Sequence, residues 1–162
     1  MKLFFVSIAI MLSLASKAQV TGVSLKASGL TCSMCSNAIN KALHTLDFID
    51  NVNADISNYT FEISFKAGSA VDFDKIKKKV EGAGFSVSGF TATIAFHNAE
   101  INNTIPLDIA GMSLYFLNAS PQRLNGTRQI KLLNKGFVSS KEYKQYHVRD
   151  AVHTPGVYYV TL

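Results

Sequence analysis

Residues 23–46 read VSLKASGLTCSMCSNAINKALHTL, and the change of period inside this stretch decides how the chain folds. Val23, Leu25 and Ala27 alternate with polar or charged neighbours, the two-residue period of a half-buried strand. Gly29, Leu30 and Thr31 break that alternation. From Cys35 onward Ala38, Ile39, Ala42, Leu43 and Leu46 recur at helical spacing, with Asn37, Asn40 and Lys41 on the opposite face. A strand therefore passes into an amphipathic helix through a connection that carries Cys32 and Cys35, the only two cysteines of the chain.

The same reasoning extends downstream. Val52, Ala54 and Ile56 alternate, the turn-type pair Ser57-Asn58 follows, and Tyr59, Phe61, Ile63 and Phe65 alternate again, which predicts a hairpin. Asp72 is placed to cap a second helix whose apolar stripe is Phe73, Ile76, Val80 and Ala83. Gly82 and Gly84 end that helix, and Phe85 and Val87 open another strand. Strand, helix, two strands, helix, strand is the order of a ferredoxin-like βαββαβ unit. After Gly89 the apolar residues move from odd to even positions (Phe90, Ala92, Ile94, Phe96), which predicts a β-bulge or a handover between domains. Further strands are predicted at Met112–Leu117, Thr127–Leu133 and Val157–Leu162, with a short helix capped by Ser139 or Ser140 and running to Tyr146. The expectation is an α+β chain: a ferredoxin-like domain over 19–95, then a small β-rich domain over 96–162 built as an OB-like barrel.

The first eighteen residues read as a signal peptide. Lys2 precedes an apolar run from Leu3 to Ala15, and Ser16-Lys17-Ala18 puts small residues at the positions before a cleavage point at Gln19. The run is shorter than the roughly 20 residues a membrane span needs. These features predict a periplasmic or secreted protein with no membrane span after cleavage. The chain has 16 Lys and Arg against 11 Asp and Glu, and without Lys2 and Lys17 the balance is 14 against 11. So mild an excess argues against a nucleic-acid partner.

Two thiols three residues apart at a helix start are there for their chemistry. A bridge across so short a loop restrains little of the unfolded chain. Unpaired N–H groups and the positive end of the helix dipole favour thiolate. Thiolates are soft ligands, suited to Cu(I) or Zn(II). The same pair also suits an extracytoplasmic thiol–disulfide oxidoreductase. Against that enzyme, the chain has no Trp, and its prolines (Pro106, Pro121, Pro155) all lie beyond the βαββαβ segment. A third reading makes the second half the working part, as an interaction or ligand-binding module.

Over about residues 21–95 the chain resembles the heavy-metal-associated domain, the fold of small copper chaperones and of the N-terminal modules of metal-pumping ATPases. Its signature, Gly-Met-Thr-Cys-x-x-Cys between the first strand and the first helix, is met by Gly29, Leu30, Thr31, Cys32 and Cys35. The resemblance implies a metal-binding module rather than an enzyme. Cys32 and Cys35 would ligate Cu(I), or Zn(II) or another soft divalent ion, and the metal would pass to or from a donor or acceptor protein. Leu30 replaces the usual Met as a buried loop anchor, and Phe85, after Ala83-Gly84, matches an aromatic beside the metal loop. Other candidates stand beside these. Met34 would offer a thioether. His97, His147 and His153 with Met112 would make a second copper site in the second half. His44 falls late on the first helix, and Lys75, Lys77, Lys78 and Lys79 form either a docking face for an acidic partner or a solvated one.

Overall fold

A computed structural model describes residues 18–30, 33–146 and 153–162. The alternation around Val23 forms β1 (Ala18–Ser28), and the helical stretch forms α1 (Ser33–Leu43). The predicted hairpin is β2 (Ile49–Asp55) with β3 (Thr60–Phe65). Helix α2 (Phe73–Gly82) begins where Asp72 accepts a hydrogen bond from the Lys75 N–H at 3.0 Å, the N-cap read from the sequence. Strand β4 (Ser86–Ile101) completes the βαββαβ order. Within the sheet these strands lie β2-β3-β1-β4, all antiparallel, which is the ferredoxin-like arrangement. Leu25 shows why β1 is central: it pairs with Phe61 on one side and Phe90 on the other, and all three are buried. Ile39 and Leu43 of α1 and Phe73, Ile76 and Val80 of α2 complete this core.

The phase change at Gly89 is a β-bulge. Lys26 pairs with Gly89 and Ala27 with Val87, so Ser88 is the extra residue, and its hydroxyl donates to the Lys26 carbonyl at 3.3 Å. The bulge turns Phe90, Ala92, Ile94 and Phe96 inward and lets β4 continue as one strand to Ile101. The boundary expected at 95/96 therefore falls inside β4. Its free edge pairs with β7 (Gln122–Leu132) from Thr91 to Ile101. The sheet then runs on through β8 (Val157–Thr161), β6 (Met112–Phe116) and β5 (Leu107–Ile109), eight strands among the described residues, with β6 and β8 their one parallel pair. The OB-like barrel expected for the second half is not what forms. β5 to β8 extend the sheet of the first half, because β4 offers them a paired edge to grow from. Helix α3 (Ser140–Gln145) is capped by Ser139, one of the two candidates read from the sequence. Among the described residues no helix is long and apolar enough to cross a membrane.

The two halves share side chains as well as backbone. Phe73 of α2 and Phe90 of β4 meet edge-on with ring centroids 5.0 Å apart. Phe137 packs on Phe90 at 5.2 Å and on Tyr158 at 5.6 Å, and Tyr158 returns to Phe73 at 5.3 Å. Beneath this ring of aromatics lies Asp74, a buried carboxylate in the first turn of α2. Its Oδ1 is 2.6 Å from His153 Nε2, and its Oδ2 accepts from the Tyr158 hydroxyl at 2.7 Å and the Gly156 N–H at 3.2 Å. Asn134 settles the imidazole's orientation. Its Oδ1 accepts from the Tyr159 N–H, so its Nδ2 is the donor facing His153 Nδ1 at 3.2 Å. Nδ1 is then the acceptor and Nε2 the donor to Asp74. All three hydrogen bonds to Asp74 come from the second half.

Burial pushes the Asp74 carboxyl up, but the hydrogen bonds from Tyr158, His153 and Gly156 outweigh it and hold the group below its ordinary value of 3.8. Burial and the adjacent Asp74 together push the Tyr158 phenol well above its ordinary 10. A carboxyl depressed by folding adds stability that is complete above the unfolded value and is lost as pH falls through the folded one. Asp74→Asn should therefore cost about 2–3 kcal/mol near neutral pH, since it leaves buried donors without their charged acceptor. The gap between the two proteins should narrow below pH 3.8, which urea unfolding across pH 2 to 7 measures. A gap constant down to pH 2 would show that the carboxylate charge contributes nothing.

Candidate metal-binding loop

The connection between β1 and α1 is built from three anchors. Gly29 takes a left-handed conformation, with φ of +88°, and turns the chain out of β1. Leu30 then inserts into the core, as expected for the residue in the Met position of the signature. Thr31 and Cys32 lie outside the described residues. The chain re-enters at Ser33, the first residue of α1, and Cys35 sits half-buried in the helix's first turn with its side chain against the core. The third anchor comes from the far end of α2. Gly84, at φ of +92°, lets the Phe85 N–H turn back to the Val80 carbonyl at 3.2 Å. Phe85 thus packs beside the loop, where a methyl built on Gly29 would stand 3.8 Å from its Cδ1.

Ser36 follows Cys35 and is 3% exposed, on the same buried face as Ile39 and Leu43. Its Oγ is enclosed and has no hydrogen-bond partner, alone in this among the buried side-chain polar atoms of the described residues. The sequence carried a signal for its burial, because Ser36, Ile39 and Leu43 stand at i, i+3 and i+7. It carried none for Asp74, whose partners are 79 to 84 residues away.

The remaining candidates are scattered. Met34 is 80% exposed and turns its thioether to solvent. His44 places Nδ1 2.9 Å from the Asn40 carbonyl and closes the C-terminal turn of α1. His97 is exposed on β4, Met112 is buried in β6, and His153 is committed to Asp74 and Asn134. His147 lies outside the described residues. Among the described residues no group of three or more His, Cys, Asp or Glu is arranged to hold a metal ion, so the second copper site is not assembled from them. The α2 lysines divide: Lys75 and Lys78 are exposed, while Lys77 places its ammonium 5.1 Å above the Phe137 ring.

Residues 24–86 match the family model of the heavy-metal-associated domain, and the second half matches no family model. A probable copper-exporting P-type ATPase of Archaeoglobus fulgidus is 29% identical over 84 residues, covering 52% of this chain. The chain spans 10% of the length of that relative. Among solved structures, the yeast copper transporter domain CCC2A is 28% identical and aligns over 41% of this chain and 90% of its own, with a TM-score of 0.37. The CopZ metallochaperone is 21% identical over 41% of this chain and 98% of its own, with a TM-score of 0.39.

Space is available at Gly29, so a side chain there meets only the backbone penalty of a positive φ. Gly29→Ala should lower stability by about 1–2 kcal/mol. Gly29→Asn should recover part of that loss, because Asn tolerates the left-handed region. Urea midpoints of the three proteins test this, and an unaltered midpoint for the Ala variant would mean the loop relaxes to another conformation.

Proposed function

We propose that the heavy-metal-associated domain at residues 24–86 makes this chain a carrier of a soft metal ion, foremost Cu(I), held by the thiolates of Cys32 and Cys35. The observation that supports this best is the build of the loop. The family match spans a Gly-Leu-Thr-Cys-Ser-Met-Cys connection anchored by Leu30 and Phe85, which leads Cys35 into the first turn of a helix. The donor set fits the ion. Two sulfurs suit a soft monovalent cation, and the helix start favours their anionic form. Zn(II) is the second cargo the donors suit, though it would need further ligands to reach four-coordination. The metal is cargo rather than a resident cofactor, and its transfer requires a donor or acceptor protein able to offer competing thiolates.

The leader at residues 1–18 supports export, with the mature chain starting at Gln19 in the periplasm or outside the cell. In an oxidising compartment the thiol pair is protected when metal is bound. The second half, in this reading, braces the metal domain through β4 and Asp74 and contributes no ligand.

Anaerobic titration against a chromogenic Cu(I) chelator should find one Cu(I) per reduced chain. The Cys32→Ser, Cys35→Ser double variant should lose that binding by at least a hundredfold. Undiminished binding by the double variant would overturn the assignment.

A further inference from the structure

We propose that Asn125-Gly126 is a self-modifying site: the Gly126 backbone nitrogen displaces ammonia from the Asn125 side chain, and the isoaspartate that results loosens the join between the two halves of the sheet. It is the only Asn-Gly pair in the chain. The pair lies in β7, on the edge that meets β4. Phe96 pairs with Gly126 and Ala99 with Leu124, so His97 and Asn98 of β4 together stand opposite Asn125. That is a β-bulge, which leaves an extra residue outside the ladder. Asn98 absorbs it with a left-handed backbone, φ of +53°, and donates its N–H to Asn125 Oδ1 at 2.6 Å.

Three features of this arrangement favour ring closure. Asn125 and Gly126 are both exposed, so water reaches the amide. Gly126 has a φ of +73° and open space where a Cβ would stand, and it brings no side chain to crowd its own nitrogen. The Asn98 N–H matters most. Negative charge gathers on Asn125 Oδ1 as the nitrogen adds to Cγ, and a backbone donor already aimed at that oxygen stabilises the charge as it develops. In the step itself a bond forms between Gly126 N and Asn125 Cγ and the Cγ–Nδ2 bond breaks. The Gly126 proton leaves with Nδ2 as ammonia. Water then opens the cyclic imide. Attack at Cγ gives aspartate, and attack at the main-chain carbonyl gives isoaspartate, whose backbone runs through Cβ and Cγ.

The two products differ at the seam. Aspartate keeps the backbone and offers the Asn98 N–H a charged acceptor, stronger than the amide it replaces. Isoaspartate lengthens the main chain between Leu124 and Gly126, so their pairings with Ala99 and Phe96 cannot both be kept. The change therefore acts on the edge of β4 that the second half covers.

Ageing the full chain at neutral pH, folded and in urea, with peptide mapping to resolve asparagine, imide, aspartate and isoaspartate, tests this. Asn125 should convert in the folded protein at a rate no lower than in urea, with isoaspartate among the products. Protein carrying isoaspartate, separated by ion exchange, should melt below the fresh protein, whereas Asn125→Asp should melt with it. Gly126→Asn tolerates the positive φ but crowds the attacking nitrogen, and should lose the conversion. Asn125 left intact in the folded protein while it converts in urea would overturn the proposal, because the Asn98 N–H would then shield the amide. Conversion persisting at full rate in Gly126→Asn would overturn the ring-closure route, and an isoaspartate form as stable as the fresh protein would overturn the effect on the seam.

Discussion

Both edges of β4 are occupied, and most of the architecture follows from that pairing. On one side β1 takes up Ser86 to Phe96, and on the other β7 takes up Thr91 to Ile101. A sheet edge is a row of unsatisfied donors and acceptors that must be paired, covered or blunted. In a separate four-stranded unit β4 would be such an edge. Here the second half pairs it, and the growing sheet carries β8, β6 and β5 beyond it. The bulge at Ser88 makes this possible. It shifts the phase of the strand so that Phe90, Ala92, Ile94 and Phe96 face inward, and a second irregularity between Phe96 and Ala99 shifts it again before Ile101.

Asp74 closes the same seam by different physics. A carboxylate this deep is tolerable only when its charge is met by donors, and all of its donors come from the distant second half. The aromatic ring of Phe73, Phe90, Phe137 and Tyr158 supplies the apolar area around it. Hydrophobic packing brings the halves together without much discrimination, and the Asp74 cluster selects one alignment. A shifted second half would strand the charge.

At the opposite end of α2 from this seam lies the loop between β1 and α1. Helix α2 is held at its N-terminus by Asp72 and Asp74 and delivers Phe85 at its C-terminus beside Gly29. The loop is therefore positioned by an element whose own orientation is pinned by the second half.

Much of this was legible in the chain alone, wherever the information is local. The strand-to-helix switch, the cap at Asp72 and a cap at Ser139 or Ser140 rest on patterns spanning a few residues, and the backbone geometry they require is local too, whereas the buried anchor at Leu30 came from the family resemblance. The phase slip at Gly89 was equally plain, but a slip is compatible with a bulge or with a domain change, and only the pairing partners of β4 distinguish them. The barrel expected for the second half failed for the same reason: strand propensity says nothing about which edge a strand will join. His153 looked like a candidate ligand because a histidine's role is set by what faces it. Its partner Asp74 is 79 residues away, a separation no periodicity encodes. Ser36 stands between these cases. Its spacing from Ile39 and Leu43 carries a signal for burial, while the absence of a partner for its hydroxyl is a property of the packed interior alone.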